Sequence, residues 1–272
     1  MKEIIRDLQE EYDALDAIVS GLDEKDWYIK TPFFDWTAQD TISHLVYYDN
    51  AAMLSATDAE AFEKHTANML SGITNYDELH ERVNSVGGKL SIADLLSWWR
   101  KERKDLISAY ESLDPKTRLP WYGPTMSARS SAVARMMETW AHGQDIVDAF
   151  SISRPATNRL KPISHLGVAT FKWSFSVRQL EVPNEPVRVE LTGPSGDLWT
   201  WGPEDAENTV RGTAEDFCLL VSQRRNVIDT GIVYEGDVAG KWVSIAQIFA
   251  GPPEEPPKPG YRKKNKDCQR TA

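Results

Sequence analysis

A four-helix bundle followed by a smaller α+β domain is the architecture this sequence predicts. Two observations carry it. Within residues 1–152, four long stretches repeat apolar residues at helical spacing. Beyond a connector rich in Pro, Asn and Arg, the stretch PVRVELTG (186–193) alternates apolar with polar side chains, the period-two signature of a half-buried strand. The expected divisions are the helical bundle 1–152, a linker 153–162, an α+β domain 163–250, and a Pro-rich then basic tail 251–272, read as extended or disordered.

The first helix, 2–22, places Ile4, Ile5, Leu8, Tyr12, Leu15, Ile18 and Val19 on one stripe, and Gly21 fits its stop. DEKDWYIKTPFFDW (23–36) is a loop. Thr37 is a good N-cap, with Asp40 placed as in a capping box, for a helix from 38 to about 57. Its stripe is Ala38, Ile42, Leu45 and Ala52. Shorter helices and connectors fill 58–86, ending near Gly87-Gly88. Ser91 caps a third long helix, from 92 to about 112, which Asp114-Pro115 stops. The loop DPKTRLPWYGPTM leads to a fourth helix at about 127–150. In the second part a helix at about 163–180 precedes the strand 186–193, a Gly-Pro-Ser-Gly turn, a returning strand DLWTWG and a short strand near 209–211. Helices at about 213–224 and 239–249 follow.

Composition narrows the function. The chain has 272 residues, 41% hydrophobic and 26% charged, ordinary for a globular protein. Its net charge of -10 argues against nucleic acid or an anionic membrane as partner. No stretch approaches the 18 apolar residues of a membrane span, and the N-terminus lacks the apolar core of a signal peptide. Two distant cysteines, Cys218 and Cys268, predict free thiols in a reducing, cytoplasmic compartment.

The chemistry concentrates in ETWAHGQD (138–145). On a helix, Glu138, His142 and Asp145 fall within about 60° of one another, among Ala134, Ala141 and Ala149. Alanines leave room around the polar groups. A Glu and a His four residues apart meet at one point, the geometry a divalent metal needs from two ligands on one helix. Asp145, a turn further on, is placed to orient the His142 ring or to contact substrate. A third ligand would come from another helix, and His44, at the margin of the second helix's stripe, is the candidate. The bland reading is an ordinary Glu–His helix pair. His65 and His80 lie among charged residues and read as solvated; His165 reads as a surface or interdomain residue.

The stretch PFFDWTAQDTISHL resembles the P-x-x-x-W-T-x-x-D-x-x-x-H-L signature of the DinB-like superfamily, and more narrowly the N-terminal metal-binding domain of mycothiol-dependent maleylpyruvate isomerases. ETWAHGQD resembles that family's second motif. WTWGP (199–203), DFCLLVSQRR (216–225) and GKWVSIAQIFAGPP (240–253) resemble the C-terminal half of an actinobacterial branch of metal-binding proteins. The resemblance implies a DinB-like four-helix bundle binding one divalent ion, usually zinc, through His44, Glu138 and His142. It further implies an assisting arginine, whose counterpart by local pattern is Arg224, with Arg225 adjoining. A solvated helix C-terminus explains both arginines equally well.

Two histidines and a carboxylate suit zinc, iron(II), nickel or manganese. They leave positions for water or a thiolate. Cys218, in the apolar run FCLL, reads as a core residue, so a sulfur nucleophile would come from outside. The resemblance supplies mycothiol as cosubstrate. Arg225 and Trp36 are its candidate contacts, and Arg224 and Asp145 the candidate catalytic residues. Trp27, Phe33, Phe34, Trp36, Trp121 and Tyr122 are candidate pocket walls, against ordinary core packing. The expected activity is a thiol-dependent isomerase or S-transferase acting on a small electrophile that bears a carboxylate an arginine can grip. A hydrolase using metal-bound water and a non-catalytic metal or metabolite binder are the alternatives.

Overall fold

The computed structural model describes residues 1–261; Cys268 and the basic end of the tail lie outside them. The chain forms two compact units, Met1–Ala149 and the remainder from Phe150. No helix among the described residues is long and apolar enough to cross a membrane.

The first unit holds six helices: α1 Lys2–Ser20, α2 Ala38–Thr57, α3 Ala59–Leu70, α4 Tyr76–Gly88, α5 Ile92–Glu111 and α6 Ala128–Phe150. The long ones are α1, α2, α5 and α6. At the start of α2 the capping box is complete: the Asp40 amide donates to the Thr37 hydroxyl at 3.1 Å, and the Thr37 amide donates to the Asp40 carboxylate at 2.9 Å. This fixes where α2 begins, and with it the helical phase of His44. Asp58, Asn75 and Ser91 cap α3, α4 and α5 through side-chain acceptors. The core is aromatic at its centre. Trp27, Trp99, Tyr12 and Tyr110 are fully enclosed beside Leu8, Ile42, Leu45 and Leu106, each such burial worth about 1.5–3 kcal/mol.

α4 ends at Gly88, within the Gly87-Gly88 pair where its stop was expected. Gly87 also serves a close approach. A Cβ at Gly87 would stand 2.0 Å from Ser43 Oγ on α2 and 2.9 Å from Leu95 Cδ1 on α5, so only a bare backbone lets α4 lie against the stretch that carries His44. The loop between α5 and α6 contains a small antiparallel pair, β1 Arg118–Leu119 and β2 Met126–Ser127.

The second unit is the smaller, sheet-containing part. A four-stranded sheet has the order β4-β3-β5-β6, with β3 Val187–Thr192, β4 Leu198–Trp201, β5 Asn208–Thr213 and β6 Val233–Glu235. β3 runs parallel to β5; the other pairs are antiparallel. Val189, Leu191 and Val210 point into the core, as the alternation of 186–193 requires. The edge strand β6 escapes the sequence reading because all three of its residues are exposed, so no apolar alternation marks it.

Helices α7 Leu160–Ala169, α8 Phe171–Ser176, α9 Ala214–Val221 and α10 Asp237–Ile245 pack with this sheet. The single helix expected at 163–180 is two. Thr170 breaks it, its hydroxyl donating back to the carbonyls of Leu166 and Gly167, a local bond that competes with helix continuation. Leu160, expected in the linker, is buried and opens α7. The helix expected to reach 224 stops at Val221, and Gln223 takes a left-handed conformation at φ 57°. The described part of the tail is extended and tied down. Gln247 donates to the Pro252 carbonyl, Gln223 to that of Glu254 and Asn226 to that of Pro257, and the Gly260 amide donates to Asp229. Prolines keep it from forming a helix, and these side chains supply the partners that hold it.

Candidate functional site

His44 on α2 faces Glu138 and His142 on α6. One Glu138 oxygen, Oε2, lies 3.4 Å from His142 Nε2 and 3.8 Å from His44 Nε2. The three donor atoms all fall within 4.8 Å of one another. Donors around a tetrahedral ion with bonds of about 2.1 Å stand about 3.4 Å apart, so the cluster is of the right size and kind for one divalent cation. On α6, Glu138 and His142 meet because they are four residues apart. His44 reaches them because the capping box and Gly87 fix α2 against its neighbours.

The electrostatics keep the donors available. Burial pushes the His44 imidazole down to about 3, opposed by Glu138 and reinforced by His142, so His44 is neutral near pH 7. Burial alone would raise the Glu138 carboxyl, but the imidazoles of His142 and His44 hold it well below the ordinary carboxylate range. The site is therefore a carboxylate between a pair of ring nitrogens. Glu138 keeps 25% of its side chain exposed and His142 only 4%, so the cluster opens on the Glu138 side.

Behind the donors, His142 Nδ1 lies 3.1 Å from the Asp145 carboxylate, both deeply buried. That contact turns Nε2 toward Glu138 and selects the tautomer in which Nε2 carries the lone pair. His44 has no such support: its Nδ1 is buried with no hydrogen-bond partner among the described residues.

The loop before α2 closes one side. The Trp36 amide donates to the Phe33 carbonyl, and the Thr31 amide to that of Trp36. Phe34 and Asp35 take left-handed conformations, φ 47° and 58°, to make this turn. For a phenylalanine that conformation costs roughly 1–2 kcal/mol, and it delivers both flanking rings to the site. Trp36 stacks on His142 at 5.7 Å and 11° and touches His44 at 5.0 Å; Phe33 meets His142 edge-on at 5.1 Å. Phe34 is exposed and Trp27 is a core residue, so these two do not line the site. Trp121 and Tyr122 pack with Phe62 and Tyr48, and Tyr48 in turn lies against the His44 ring at 4.8 Å.

Two histidines expected in solvent are not there. His80 packs edge-on against Trp36 at 5.3 Å, and burial lowers its pKa. His65 lies against Tyr47 at 4.8 Å and is likewise depressed by burial. Charged sequence neighbours misled the reading, since on a helix they occupy other faces. His165 accepts a hydrogen bond from the Trp201 indole.

The sequence reading also missed a buried ion pair beneath the donors. Arg135, one turn before Glu138, donates to Asp49 at 2.8 Å, and the Tyr12 hydroxyl donates to the same oxygen at 2.6 Å. All three side chains are enclosed. The signal was legible: Asp49 sits on α2 between Leu45 and Ala52, inside an apolar stripe, where a lone carboxylate needs a partner.

In the second unit, Arg224 and Arg225 are buried, 3% and 9% exposed, rather than solvated at a helix end. Their amides both donate to the Leu219 carbonyl, and their guanidiniums reach the carbonyls of Ser222 and Arg224 respectively. Cys218 is enclosed, 3.4 Å from the Ser164 hydroxyl, and burial pushes its thiol up to about 12.

The fold and its facing donors define a helical bundle with a His/Glu/His cluster, joined to a smaller sheet-containing part. The chain belongs to the mycothiol maleylpyruvate isomerase N-terminal domain family, whose description it matches over residues 8–147. Residues 183–230 match a second family, described as wyosine base formation. The chain is 44% identical over 250 residues, 92% of its length and 96% of theirs, to Uncharacterized protein Rv0036c of Mycobacterium tuberculosis strain ATCC 25618 / H37Rv and to Uncharacterized protein MT0041 of strain CDC 1551 / Oshkosh. Among solved structures it is similar to the mycothiol-dependent maleylpyruvate isomerase and to a mutant of it. The TM-scores are 0.56 and 0.57 at 16% identity, covering 86% of this chain and 92% of theirs. At that identity the likeness is one of fold.

Proposed function

We propose that the protein is a divalent-metal-dependent enzyme that uses mycothiol to isomerise, or to add sulfur to, a small electrophilic substrate. The observation that carries the reading is the convergence of His44 Nε2, His142 Nε2 and Glu138 Oε2, with Asp145 behind His142. Membership of the mycothiol maleylpyruvate isomerase N-terminal family supports the choice of thiol. A divalent cation held by those three residues supplies the Lewis acidity that favours a thiolate over a thiol near neutral pH.

The chain's own groups do the rest. Neutral His44 and ionised Glu138 present lone pairs without first losing a proton. Asp145 fixes the ring of His142, and Trp36 and Phe33 exclude water from one side. Cys218 is too enclosed and too weakly acidic to serve as nucleophile, which favours sulfur from a cosubstrate. Thiolate addition forms a C–S bond at an electron-poor double bond and turns it into a single bond about which the substrate rotates. Expulsion of the same thiolate restores the double bond with changed geometry; protonation instead leaves an S-conjugate.

The test is elemental analysis of the purified protein, followed by titration of the cobalt-substituted form with mycothiol. A metal content near one per chain that disappears in His142→Ala, and a cobalt spectrum that shifts on adding thiol, are expected. Full metal content in His142→Ala overturns the ligand assignment, and an unchanged spectrum at saturating thiol overturns the cosubstrate.

A further inference from the structure

One polar group beside the donor cluster has no role in the chemistry described so far. Tyr48 follows His44 by one turn of α2, and the two rings lie 4.8 Å apart. Tyr122 meets the Tyr48 ring edge-to-face at 5.7 Å, and Trp121 lies at 6.4 Å, so the ring is held in place. Its hydroxyl makes no hydrogen bond among the described residues. Tyr12, Tyr110 and Tyr122, by contrast, are matched with Asp49, Ser131 and Thr66. Of the charged groups, the Glu138 carboxylate acts on the Tyr48 hydroxyl most strongly, ahead of Arg135. Glu138 is also the donor on whose side the cluster opens, with 25% of its side chain exposed. The free hydroxyl therefore belongs to the open side of the cluster.

A phenol keeps its proton at neutral pH and has one hydrogen bond to donate. Burial, with Glu138 next, raises the Tyr48 pKa further. Addition of sulfur to an electron-poor double bond calls for a donor of this kind. As the C–S bond forms, the π pair of the double bond moves onto the oxygen of the activating carbonyl. As the C–S bond breaks, that pair returns. A fixed neutral donor favours the charge on oxygen without giving up its own proton. Neighbouring groups are committed to other tasks: Glu138 is held ionised and has no proton to offer, and Asp145 fixes the ring of His142. Tyr47 is adjacent in sequence but lies on another face of α2, against His65 at 4.8 Å, with Arg82 as the charge that acts on it.

Resting on the proposed thiol chemistry, we propose that Tyr48 is a further catalytic residue: its hydroxyl donates a hydrogen bond to the substrate oxygen on which negative charge gathers as sulfur adds.

The experiment uses the full chain at measured metal content, without thiol, and two ring probes. One is 4-nitrophenolate, whose oxygen carries delocalised negative charge; the other is nitrobenzene, which lacks that oxygen. Affinities are read by ligand-observed NMR at about pH 8. 4-Nitrophenolate is expected to bind the wild type, and Tyr48→Phe to weaken it about 10- to 100-fold while nitrobenzene and metal content stay unchanged. Tyr47→Phe, the control, should leave both probes as in the wild type. With 3-fluorotyrosine placed at position 48 alone, the fluorine resonance should shift on adding 4-nitrophenolate. That measurement keeps the hydroxyl, so it decides the matter should Tyr48→Phe melt early by circular dichroism. The proposal is overturned if 4-nitrophenolate fails to bind at millimolar concentration, if its affinity is equal in folded Tyr48→Phe, or if the fluorine resonance does not move. Failure of the mycothiol reading shows in the cobalt titration and leaves probe binding intact, whereas failure of the Tyr48 assignment leaves metal content and that titration intact.

Discussion

Removal of the Asp145 carboxylate is the sharpest test of how the site is held. Its oxygen stands 3.1 Å from His142 Nδ1, and the two side chains are 2% and 4% exposed, so solvent cannot readily replace the contact. In Asp145→Ala the ring loses the acceptor that fixes its rotation and its tautomer. The Nε2 lone pair then faces Glu138 for only part of the time. Loss of a carboxylate that supports a ligating histidine weakens metal binding by roughly 10- to 100-fold, equivalent to about 1.4–2.8 kcal/mol. His44 already lacks a partner at Nδ1, so the cluster has no second supported ring in reserve, and the upper part of that range is expected. Zinc affinity is measured by competition with a chromophoric chelator, with circular dichroism to confirm the helices. Asp145→Asn keeps an acceptor oxygen and should recover part of the loss. An affinity within twofold of wild type in Asp145→Ala refutes the orienting role. A loss beyond about ten-thousandfold would make Asp145 a ligand in its own right.

Arg135→Met leaves the Asp49 carboxylate enclosed without its cation and is expected to cost about 3–5 kcal/mol in urea denaturation; the double variant with Asp49→Leu should recover most of it, and an additive loss would contradict the pairing. For Asp16, burial raises the carboxyl but Arg100 and Arg103 hold it below its ordinary value. Its contribution is thus complete above about pH 4 and lost as pH falls through the lower folded value; Asp16→Asn should flatten that acid limb in denaturation curves collected from about pH 5 down to about pH 2. Cys218, with its thiol pushed up to about 12, should resist iodoacetamide at pH 8 in the folded protein, and Cys218→Ala should leave thiol-dependent turnover unchanged.

What the sequence determined by itself was local. A helix repeats every 3.6 residues, so the spacing of Glu138, His142 and Asp145 places them on one face of α6 whatever surrounds it. Thr37 and Asp40 likewise set the start of α2 from four consecutive residues. The alternation of Val187, Val189 and Leu191 marked β3 because one face of that strand meets the core. Tertiary structure decided what depends on residues distant in the chain. It placed His80 against Trp36 and His65 against Tyr47, though their sequence neighbours are charged. It joined Arg135 to Asp49, 86 residues apart, and it turned Arg224 and Arg225 inward past the end of α9. Periodicity reports which face of an element is apolar. Which partner a buried polar group meets is set by the packing of elements against one another, and no window of local sequence contains it.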